Sequence, residues 1–313
     1  MSRIRLALIA GGVSGERQVS LDGASAVEKA LNPEKYEVIR YDPAVDLARI
    51  AADADRIDAA FILLHGIHGE DGTMQGFLEL LNIPYQGAGV LGSALAMDKN
   101  LAKTLYKLHD LPVADWRMAE RGHVENPQPL LDALGLPLVV KPVRQGSSLG
   151  MSIVRDGAKL SDALALAFEH DGEVMVEAFI DGREITVGVI GNTDLQPLPL
   201  IEIIPDERYD FFDYEAKYKP GATTEVCPAE VDDTVKKQAR QYALTAHRAL
   251  QLSGYSRTDM MLRGDELFIL ETNTIPGMTA TSLLPQAAAE AGLDFPSLLD
   301  RLIDLALEKR KVK

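Results

Sequence analysis

Apolar runs alternate with helical periodicity along the N-terminal part of the chain. The apolar runs at residues 3–10, 36–41 and 59–64 predict three β-strands. Helical periodicity at residues 21–31 and 73–81, with a polar helix-like segment between the second and third strands, predicts the intervening helices. Strands that alternate with helices form a parallel sheet, so this part predicts an α/β fold with ligand groups at the carboxyl ends of the strands.

The pattern changes after Pro112. Further strands are predicted at residues 138–142, 151–154, 174–180 and 185–190, and helices at residues 91–108, 161–169, 232–250, 281–291 and 295–307. Residues 205–228 are aromatic and irregular, and a loop of this length in a compact protein is usually a lid or a disordered segment. Disordered segments are poor in aromatic residues, so the composition favours a lid.

A hairpin is predicted where two apolar runs flank residues 264–266, Gly-Asp-Glu. If these three residues form the loop, the antiparallel register sets Asp259 opposite Glu271 and Arg257 opposite Asn273. Side chains alternate along a strand, so all four of these side chains share one face of the hairpin.

Two directly opposed carboxylates in this hairpin raise an electrostatic problem. Like charges repel across a strand pair, and an unpaired charge beside apolar neighbours is costly. A cation bound by Asp259, Glu271 and Asn273 would remove that cost, and these oxygen ligands suit magnesium, or alternatively manganese. The alternative is an ordinary hairpin with a salt bridge from Arg257.

Glycine-rich loops follow two of the predicted parallel strands. Residues 11–16 read Gly-Gly-Val-Ser-Gly-Glu, which is neither the GxGxxG fingerprint of dinucleotide-binding folds nor a P-loop. Glu16 lies at one strand end and His65 at another. The glycines that follow His65 fit a substrate loop better than a zinc site, because no cysteine or further histidine cluster supports zinc.

A second kind of loop follows Lys141, at the end of a predicted strand. Small residues in the segment 144–150 would let backbone N–H groups approach a phosphate closely, although a flexible hairpin tip is the alternative. The strand at 174–180 offers main-chain groups to a planar base. Glu184 could accept hydrogen bonds from ribose hydroxyls, and the alternative for this glutamate and for Glu177 is a solvated charge at a turn.

Length, charge and cysteine content limit the classes of protein to consider. A chain of 313 residues predicts two or three domains. The formal net charge of −15 argues against a nucleic-acid partner, because phosphate backbones bind basic surfaces. Cys227 is the only cysteine, so an internal disulfide is excluded, which fits a reducing cytoplasm. With no signal-peptide pattern and no run of membrane-spanning length, we expect a cytoplasmic protein without a membrane partner.

Taken together, the motifs resemble the ATP-grasp superfamily and, over nearly the whole chain, the D-alanine–D-alanine ligase family. The motifs are GGVSGERQVS at residues 11–20, HGIHGEDGTMQG at 65–76, MDK at 97–99, YEAKY at 214–218 and ETNTIPGMT at 271–279. The resemblance implies a mixed α/β and α+β protein with the ATP-grasp fold. It comprises an N-terminal parallel-sheet α/β domain at residues 1–96, a central ATP-grasp subdomain at 97–180 and a C-terminal one at 181–313.

The resemblance also implies an activity and its site. In the family, ATP phosphorylates the carboxylate of one D-alanine, and the amine of a second attacks the acyl phosphate, for peptidoglycan precursor synthesis. Nucleotide contacts are implied at Lys99, Lys141, Gly146, Ser147, Ser148, Glu177, Ala178, Phe179, Ile180, Glu184, Lys217 and Asn273, with two metal ions at Asp259, Glu271 and Asn273. Family members often have lysine where this chain has Ala178, which leaves the base contact there to the main chain.

Substrate contacts are implied in the same way. Glu16 and His65 would receive the first D-alanine, and Ser282 and Leu283 the carboxylate of the second. Arg257 and the backbone N–H of Gly277 would form the oxyanion hole, and a network from Glu16 through Ser147 to Tyr218 would close the site.

Two other functions compete with this interpretation. A D-alanine–D-lactate ligase is disfavoured, because Lys217-Tyr218 matches the dipeptide form. A nucleotide-binding regulatory protein without turnover would not need Arg257 as an oxyanion donor. A homodimer is the expected assembly.

Overall fold

The computed structural model describes residues 3–206, 208 and 223–310, and these form three sheets with flanking helices. The first sheet is parallel, with strand order β2-β1-β3, as the sequence predicts. Its elements in chain order are β1 (Ile4–Ile9), α1 (Arg17–Ala30), β2 (Tyr36–Tyr41), α2 (Pro43–Asp53), a 3₁₀ turn (Ala54–Arg56), β3 (Ala59–Ile62) and α3 (Thr73–Leu80).

The stretch at 91–108, predicted as one helix, is two helices. They are α4 (Val90–Met97) and α5 (Lys99–Leu108), separated by Asp98 in an extended conformation. The Asp98 carboxylate accepts hydrogen bonds from the backbone N–H groups of Asn100 and Leu101 at 3.1 and 2.9 Å. This N-cap starts a new helix, because it satisfies donors that the first turn leaves unpaired. Lys99 therefore lies at the start of α5.

The second sheet is antiparallel with strand order β4-β7-β5-β6. Its elements are β4 (Trp116–Ala119), a 3₁₀ turn (Arg121–Val124), α6 (Gln128–Leu134), β5 (Leu138–Pro142), β6 (Ser152–Val154), a second 3₁₀ turn (Gly157–Lys159), α7 (Leu160–His170) and β7 (Val174–Ala178). Neither β4 nor α6 is predicted from the sequence, because both are too short to establish a period.

The third sheet is also antiparallel, with strand order β10-β9-β8-β11-β12. It comprises β8 (Arg183–Gly191), β9 (Gln196–Pro205), β10 (Thr223–Val226), β11 (Gly254–Arg263) and β12 (Glu266–Asn273), flanked by α8 (Asp233–Ala249), α9 (Leu283–Glu290) and α10 (Phe295–Arg310). The expectation of a structureless loop over 205–228 is wrong at its end, since residues 223–226 pair with β9. The predicted lid residues Lys217 and Tyr218 lie outside the described residues.

The hairpin of β11 and β12 has the predicted register at its functional end and a different turn. Arg257 lies opposite Asn273 and Asp259 opposite Glu271. The loop, however, has two residues instead of three, because Arg263 pairs with Glu266. A register shift next to Met260 compensates for this difference by leaving Leu270 as an extra residue. The predicted face of the hairpin is therefore confirmed, and the predicted loop length is wrong.

Apolar packing connects the two ends of the chain. Leu6 and Leu8 of β1 belong to the same buried cluster as Leu298 and Leu302 of α10. The alanine-rich face of α8 packs behind the third sheet in a separate cluster. None of the helices in the described part of the chain is both long and apolar enough to cross a membrane. The loops that follow β1, β3, β5 and β12 lie where these sheets meet.

Candidate functional site

Two cavities meet at this junction of loops and sheets. The cleft cavity, of about 130 Å³, lies between the second and third sheets, and the loop cavity, of about 460 Å³, lies beside the loops after β1 and β3. Ser147 and Glu271 line both. The cleft cavity is also lined by Lys99, Lys141, Ser148, Glu177, Ala178, Phe179, Ile180, Glu184, Asp259 and apolar side chains. The loop cavity is also lined by Glu16, His65, Glu70, Gly146, Glu225, Arg257, Asn273, Gly277, Ser282 and Leu283.

Apolar side chains from two sheets form the walls of the cleft cavity. Val139 and Ile153 come from the second sheet, and Met261 and Leu270 come from the third. An apolar slot with a few polar groups at its ends suits a planar ring that carries a polar substituent. Leu270 is the extra residue of the β-bulge, so the bulge that corrects the hairpin register also contributes to this wall.

Lysines mark the polar end of the cleft cavity. The Lys99 ammonium donates to the Gln145 carbonyl at 2.7 Å and lies 3.6 Å from a Glu271 carboxylate oxygen. The Lys141 ammonium donates to Glu177 at 2.5 Å, and both of these side chains are buried. These lysines thus bring positive charge, next to carboxylates, into a site that the walls shield from water, where charged groups interact strongly.

The loop after β5 separates the two cavities. Ser147 and Ser148 have φ values of 49° and 58°, in the left-handed region that non-glycine residues seldom adopt. The Ser147 hydroxyl donates a hydrogen bond to the Glu16 carboxylate, which joins this loop to the start of α1. A Cβ atom on Gly146 would lie 2.9 Å from a Glu16 carboxylate oxygen. A side chain at this position would therefore displace the Glu16 carboxylate.

The Asp259 carboxylate is the most heavily hydrogen-bonded group of the hairpin. Arg257 donates to its two oxygens at 2.8 and 2.7 Å, Thr186 donates at 2.5 Å, and the Asn273 amide donates at 2.9 Å. Burial opposes the charged form of Arg257, but the Asp259 carboxylate outweighs burial and raises the pKa of Arg257. The salt bridge that the ordinary-hairpin interpretation predicts is thus present alongside the opposed carboxylates.

The donor set of the hairpin fits a metal only together with further ligands. Among the described residues, no group of three or more His, Cys, Asp and Glu side chains is arranged to hold a metal ion. Asp259, Glu271 and Asn273 provide two carboxylates and one amide, which are hard oxygen donors. Phosphate oxygens in the neighbouring cleft cavity would complete the coordination that magnesium prefers. The residues therefore fit a metal–nucleotide complex better than a metal alone.

Acidic groups and a histidine face the loop cavity. Glu16 and His65 are both buried there, after β1 and after β3. Burial lowers the pKa of His65, an effect that Glu16 opposes and Arg257 reinforces, so the imidazole is neutral at pH 7. Glu70 accepts a hydrogen bond from the Gly66 N–H at 2.7 Å, and burial together with Glu16 raises the pKa of Glu70 to about 8.

A helix N-terminus closes the opposite side of the loop cavity. Ser282 precedes α9, and its hydroxyl accepts a hydrogen bond from the Thr279 N–H at 3.1 Å. A Cβ atom on Gly277 would lie 3.2 Å from the Ser282 hydroxyl oxygen, so the segment after β12 folds back tightly. Backbone N–H groups at the start of a helix bind anions, because they have no partner within the helix.

The structure brings most of the predicted site residues together around the two cavities. Gly146 and Asn273, predicted as nucleotide contacts, line the loop cavity and not the cleft cavity. Lys217 and Tyr218 lie outside the described residues. The sequence-based set omits four polar residues that the structure puts at the site, which are Glu70, Lys103, Thr186 and Glu225. The signal for Glu70 was its position in the glycine-rich loop, whereas the other three give no local signal.

Comparisons with known proteins agree with this geometry. Sequence models of the D-ala D-ala ligase N-terminus and C-terminus match residues 44–88 and 105–304. A D-alanine–D-alanine ligase of Desulfotalea psychrophila is 59% identical over 99% of this chain and 97% of its own length. One from Syntrophobacter fumaroxidans is 57% identical over 98% of each chain.

Solved structures give the same result. A D-alanine–D-alanine ligase from Bacillus anthracis, complexed with ATP, has a TM-score of 0.86 at 36% identity over 99% of both chains. The VanG D-Ala:D-Ser ligase from Enterococcus faecalis has a TM-score of 0.83 at 34% identity, over 97% of this chain and all (100%) of its own.

Proposed function

This chain belongs to the D-alanine–D-alanine ligase family of ATP-grasp enzymes, and from this premise we propose that it joins two D-alanines to D-alanyl-D-alanine. The reaction consumes ATP and releases ADP and phosphate. The observation that carries the proposal is the shared wall of the two cavities, where Ser147 and Glu271 face both. A phosphoryl group in the cleft cavity would reach a carboxylate in the loop cavity across that wall.

ATP binds in the cleft cavity in this proposal. Its base lies between the apolar walls, against the main chain of residues 178–180, and Glu184 accepts hydrogen bonds from the ribose. Lys99 and Lys141 lie at the phosphates and balance their charge, as cations do in other phosphoryl transfers. Lys217, which lies outside the described residues, is the residue that we assign to the γ-phosphate, in line with the nucleotide contact that the family resemblance implies.

Asp259, Glu271 and Asn273 would hold magnesium or manganese, as two ions, at the edge of the cleft cavity. When bound, the metal neutralises charge on the phosphates and on the phosphoryl group during transfer. The carboxylates are suited to this task, because they are opposed across the hairpin and lie beside the cleft cavity.

The first D-alanine occupies the loop cavity. Its ammonium pairs with the Glu16 carboxylate, and neutral His65 supports this contact. Its carboxylate attacks the γ-phosphorus of ATP. A carboxylate oxygen forms a bond to this phosphorus while the bond between the phosphorus and the β–γ bridging oxygen breaks, and ADP leaves. The product of this step is an acyl phosphate, which the closed loops protect from water.

The second D-alanine completes the reaction from the other side of the loop cavity. Its carboxylate binds the Ser282 hydroxyl and the N-terminus of α9 at Leu283. Its neutral amine attacks the acyl carbon, phosphate departs with the bonding electrons, and the amine loses a proton. Arg257 and the backbone N–H of Gly277 stabilise the oxyanion of the tetrahedral intermediate.

The wider setting follows from the same premise. The dipeptide is a precursor for peptidoglycan, and we place its synthesis in the cytoplasm by a homodimer. We also propose the domain division 1–96, 97–180 and 181–313, in which each part contains one of the three sheets. Tyr218, outside the described residues, would extend the Glu16–Ser147 contact to close the site.

The test is a product analysis with competing acceptors. The protein is incubated with ATP, magnesium and D-alanine, alone or with D-serine or D-lactate, and the products are identified by mass while ADP is counted. We expect D-alanyl-D-alanine, with one ADP for each dipeptide and no turnover after the metal is removed with EDTA. ATP binding without D-alanine-dependent ADP release would favour the regulatory alternative, and a dominant ester or D-alanyl-D-serine product would revise the acceptor.

A further inference from the structure

Lys103 is a buried cation that the proposed reaction does not use. It lies on α5, one helical turn after Lys99, and its side chain is only 1% exposed. A lysine is almost never buried to this extent unless it is paired. Lys103 is not among the residues that line the cleft cavity.

The partner of Lys103 is a residue that does line the cavity. The Lys103 ammonium lies 2.6 Å from one carboxylate oxygen of Glu177, and Lys141 donates to the other oxygen at 2.5 Å. Glu177 is 3% exposed and Lys141 7%. Burial alone would raise the pKa of Glu177, but the two ammonium groups outweigh burial and lower it to about 2. Glu177 is therefore ionised between two cations.

The surroundings hold Lys103 in place behind the cavity. Its ammonium approaches the Ala114 carbonyl at 3.5 Å and lies 5.6 Å from the centre of the Trp116 ring. A carboxylate, a carbonyl and an aromatic face all stabilise a cation. Lys141, by contrast, lines the cleft cavity and can turn towards a ligand there.

The cluster of Lys103, Glu177 and Lys141 carries two positive charges against one negative charge. Without Lys103, Glu177 and Lys141 would form a neutral buried pair, which has no need of a further anion. Burial lowers the pKa of Lys103, and the Glu177 carboxylate opposes this effect. With Lys103 protonated, one positive charge of the cluster stays uncompensated in a region of low dielectric constant, where a charge is costly until an anion balances it.

We propose that Lys103 is a positioning residue for the nucleotide, because it balances Glu177 and so leaves the Lys141 charge available to a phosphate in the cleft cavity. The inference rests on the proposed binding of ATP in that cavity. According to this inference, Lys103 is the reason that the cavity binds a phosphorylated ligand more tightly than an unphosphorylated nucleoside.

The test compares the affinities of ADP and adenosine, measured by displacement of a fluorescent ADP derivative in magnesium buffer. In Lys103→Met, the affinity for ADP should fall about tenfold or more, on the scale of one lost charge interaction at short range. The affinity for adenosine should change less than twofold. Lys103→Arg keeps the charge and should retain the preference for ADP.

A double variant distinguishes the effect of losing the Lys103 charge from a general effect of the substitution on folding. Lys103→Met with Glu177→Gln removes one positive and one negative charge, so Lys141 again carries the uncompensated charge. The ratio of ADP to adenosine affinity should return to the wild-type value, even where both affinities fall together through loss of Glu177. Lys107→Met is the matched control, because Lys107 lies one turn further on the same helix, is exposed, and pairs with Asp115 at 3.4 Å.

Equal losses of ADP and adenosine affinity in Lys103→Met, or no return of the ratio in the double variant, would overturn the inference. If thermal unfolding shows that Lys103→Met does not fold, Lys103→Gln is used instead, since it keeps a hydrogen-bond donor to Glu177 without the charge. A wild-type protein that binds neither ligand would contradict the proposed function itself. Normal wild-type binding with an unchanged ratio in the variant contradicts only the role of Lys103.

Discussion

The cleft cavity and the loop cavity share a wall but are built differently. The cleft cavity lies between two sheets, has apolar walls, and has lysines paired with carboxylates at its polar end. The loop cavity is formed largely by loops and collects acidic side chains around one arginine and one histidine. The first arrangement suits a large ligand with a ring and a strong negative charge. The second suits a small zwitterion, which needs an anion and a cation to be close together.

Removal of Arg257 should distinguish most clearly between effects on the loop cavity and effects on the cleft cavity. Arg257 lines the loop cavity and not the cleft cavity, so Arg257→Ala should lower kcat about 10² to 10³-fold while the KM for ATP changes little. Steady-state kinetics with each substrate varied gives both numbers. Arg263→Ala is the control, because Arg263 ends the same strand and forms an exposed ion pair with Glu266 at 3.0 Å. A normal kcat with only a raised KM would assign Arg257 to ground-state binding.

A methyl group at Gly146 should disturb the wall between the cavities only on the side of the loop cavity. The added Cβ would lie 2.9 Å from a Glu16 carboxylate oxygen and would displace that side chain. We expect Gly146→Ala to raise the KM for D-alanine about tenfold, since small misplacements of a binding group reduce catalysis strongly. The affinity for ADP should be unaffected.

Gly172→Ala is the control for Gly146→Ala, because an added Cβ there would meet nothing within 4 Å. If Gly146→Ala weakens ADP binding as much as D-alanine binding, the two cavities are not separable at this wall.

Glu70 should affect the stability of the folded protein instead of the reaction rate. Burial and the nearby Glu16 raise the pKa of Glu70 in the folded protein to about 8 from its usual value of 4.5. Between these two values the unfolded chain releases a proton that the folded protein keeps, so this residue makes the wild type less stable as the pH rises. Glu70→Gln should therefore be nearly as stable as the wild type near pH 4.5 and more stable at pH 8, with the difference growing by up to about 1.4 kcal/mol for each pH unit between the two pKa values.

Urea denaturation at the two pH values measures this difference. The surface substitution Glu34→Gln should shift the free energy of unfolding equally at both pH values. A difference for Glu70→Gln that does not grow with pH would show that the Glu70 carboxyl ionises normally in the loop cavity.

In the hairpin, the sequence predicts the shared face correctly and the turn incorrectly. Alternation along the strands was enough to put Arg257, Asp259, Glu271 and Asn273 on one face. Alternation could not reveal the two-residue turn or the bulge at Leu270. The shorter turn shifts the register by one residue, and the bulge shifts it back. The loop length was inferred from composition, and the composition of two-residue and three-residue turns is similar.

Local signals failed where prolines and short elements interrupted the periodicity. β9 contains Pro197, Pro199 and Pro205, and prolines within an apolar run argue against a strand. The sheet accommodates Pro197 beside a register shift in β8. Asp98 gave a helix-start signal, but the apolar pattern runs through it, so two helices were predicted as one.

The sequence by itself determined the family, the chemistry of the motifs and the parallel first sheet, because those depend on residue types and on periods along the chain. Only the tertiary structure decided which charges meet. Ser147 reaches Glu16 across 131 positions, and Lys141 reaches Glu177 across 36. Lys103 looks like an ordinary helix-surface lysine in the sequence, yet folding removes its ammonium from water and puts it against Glu177. Burial and long-range contacts determine how strongly each charged group interacts with its surroundings. Neither can be predicted from the local spacing of residues along the chain.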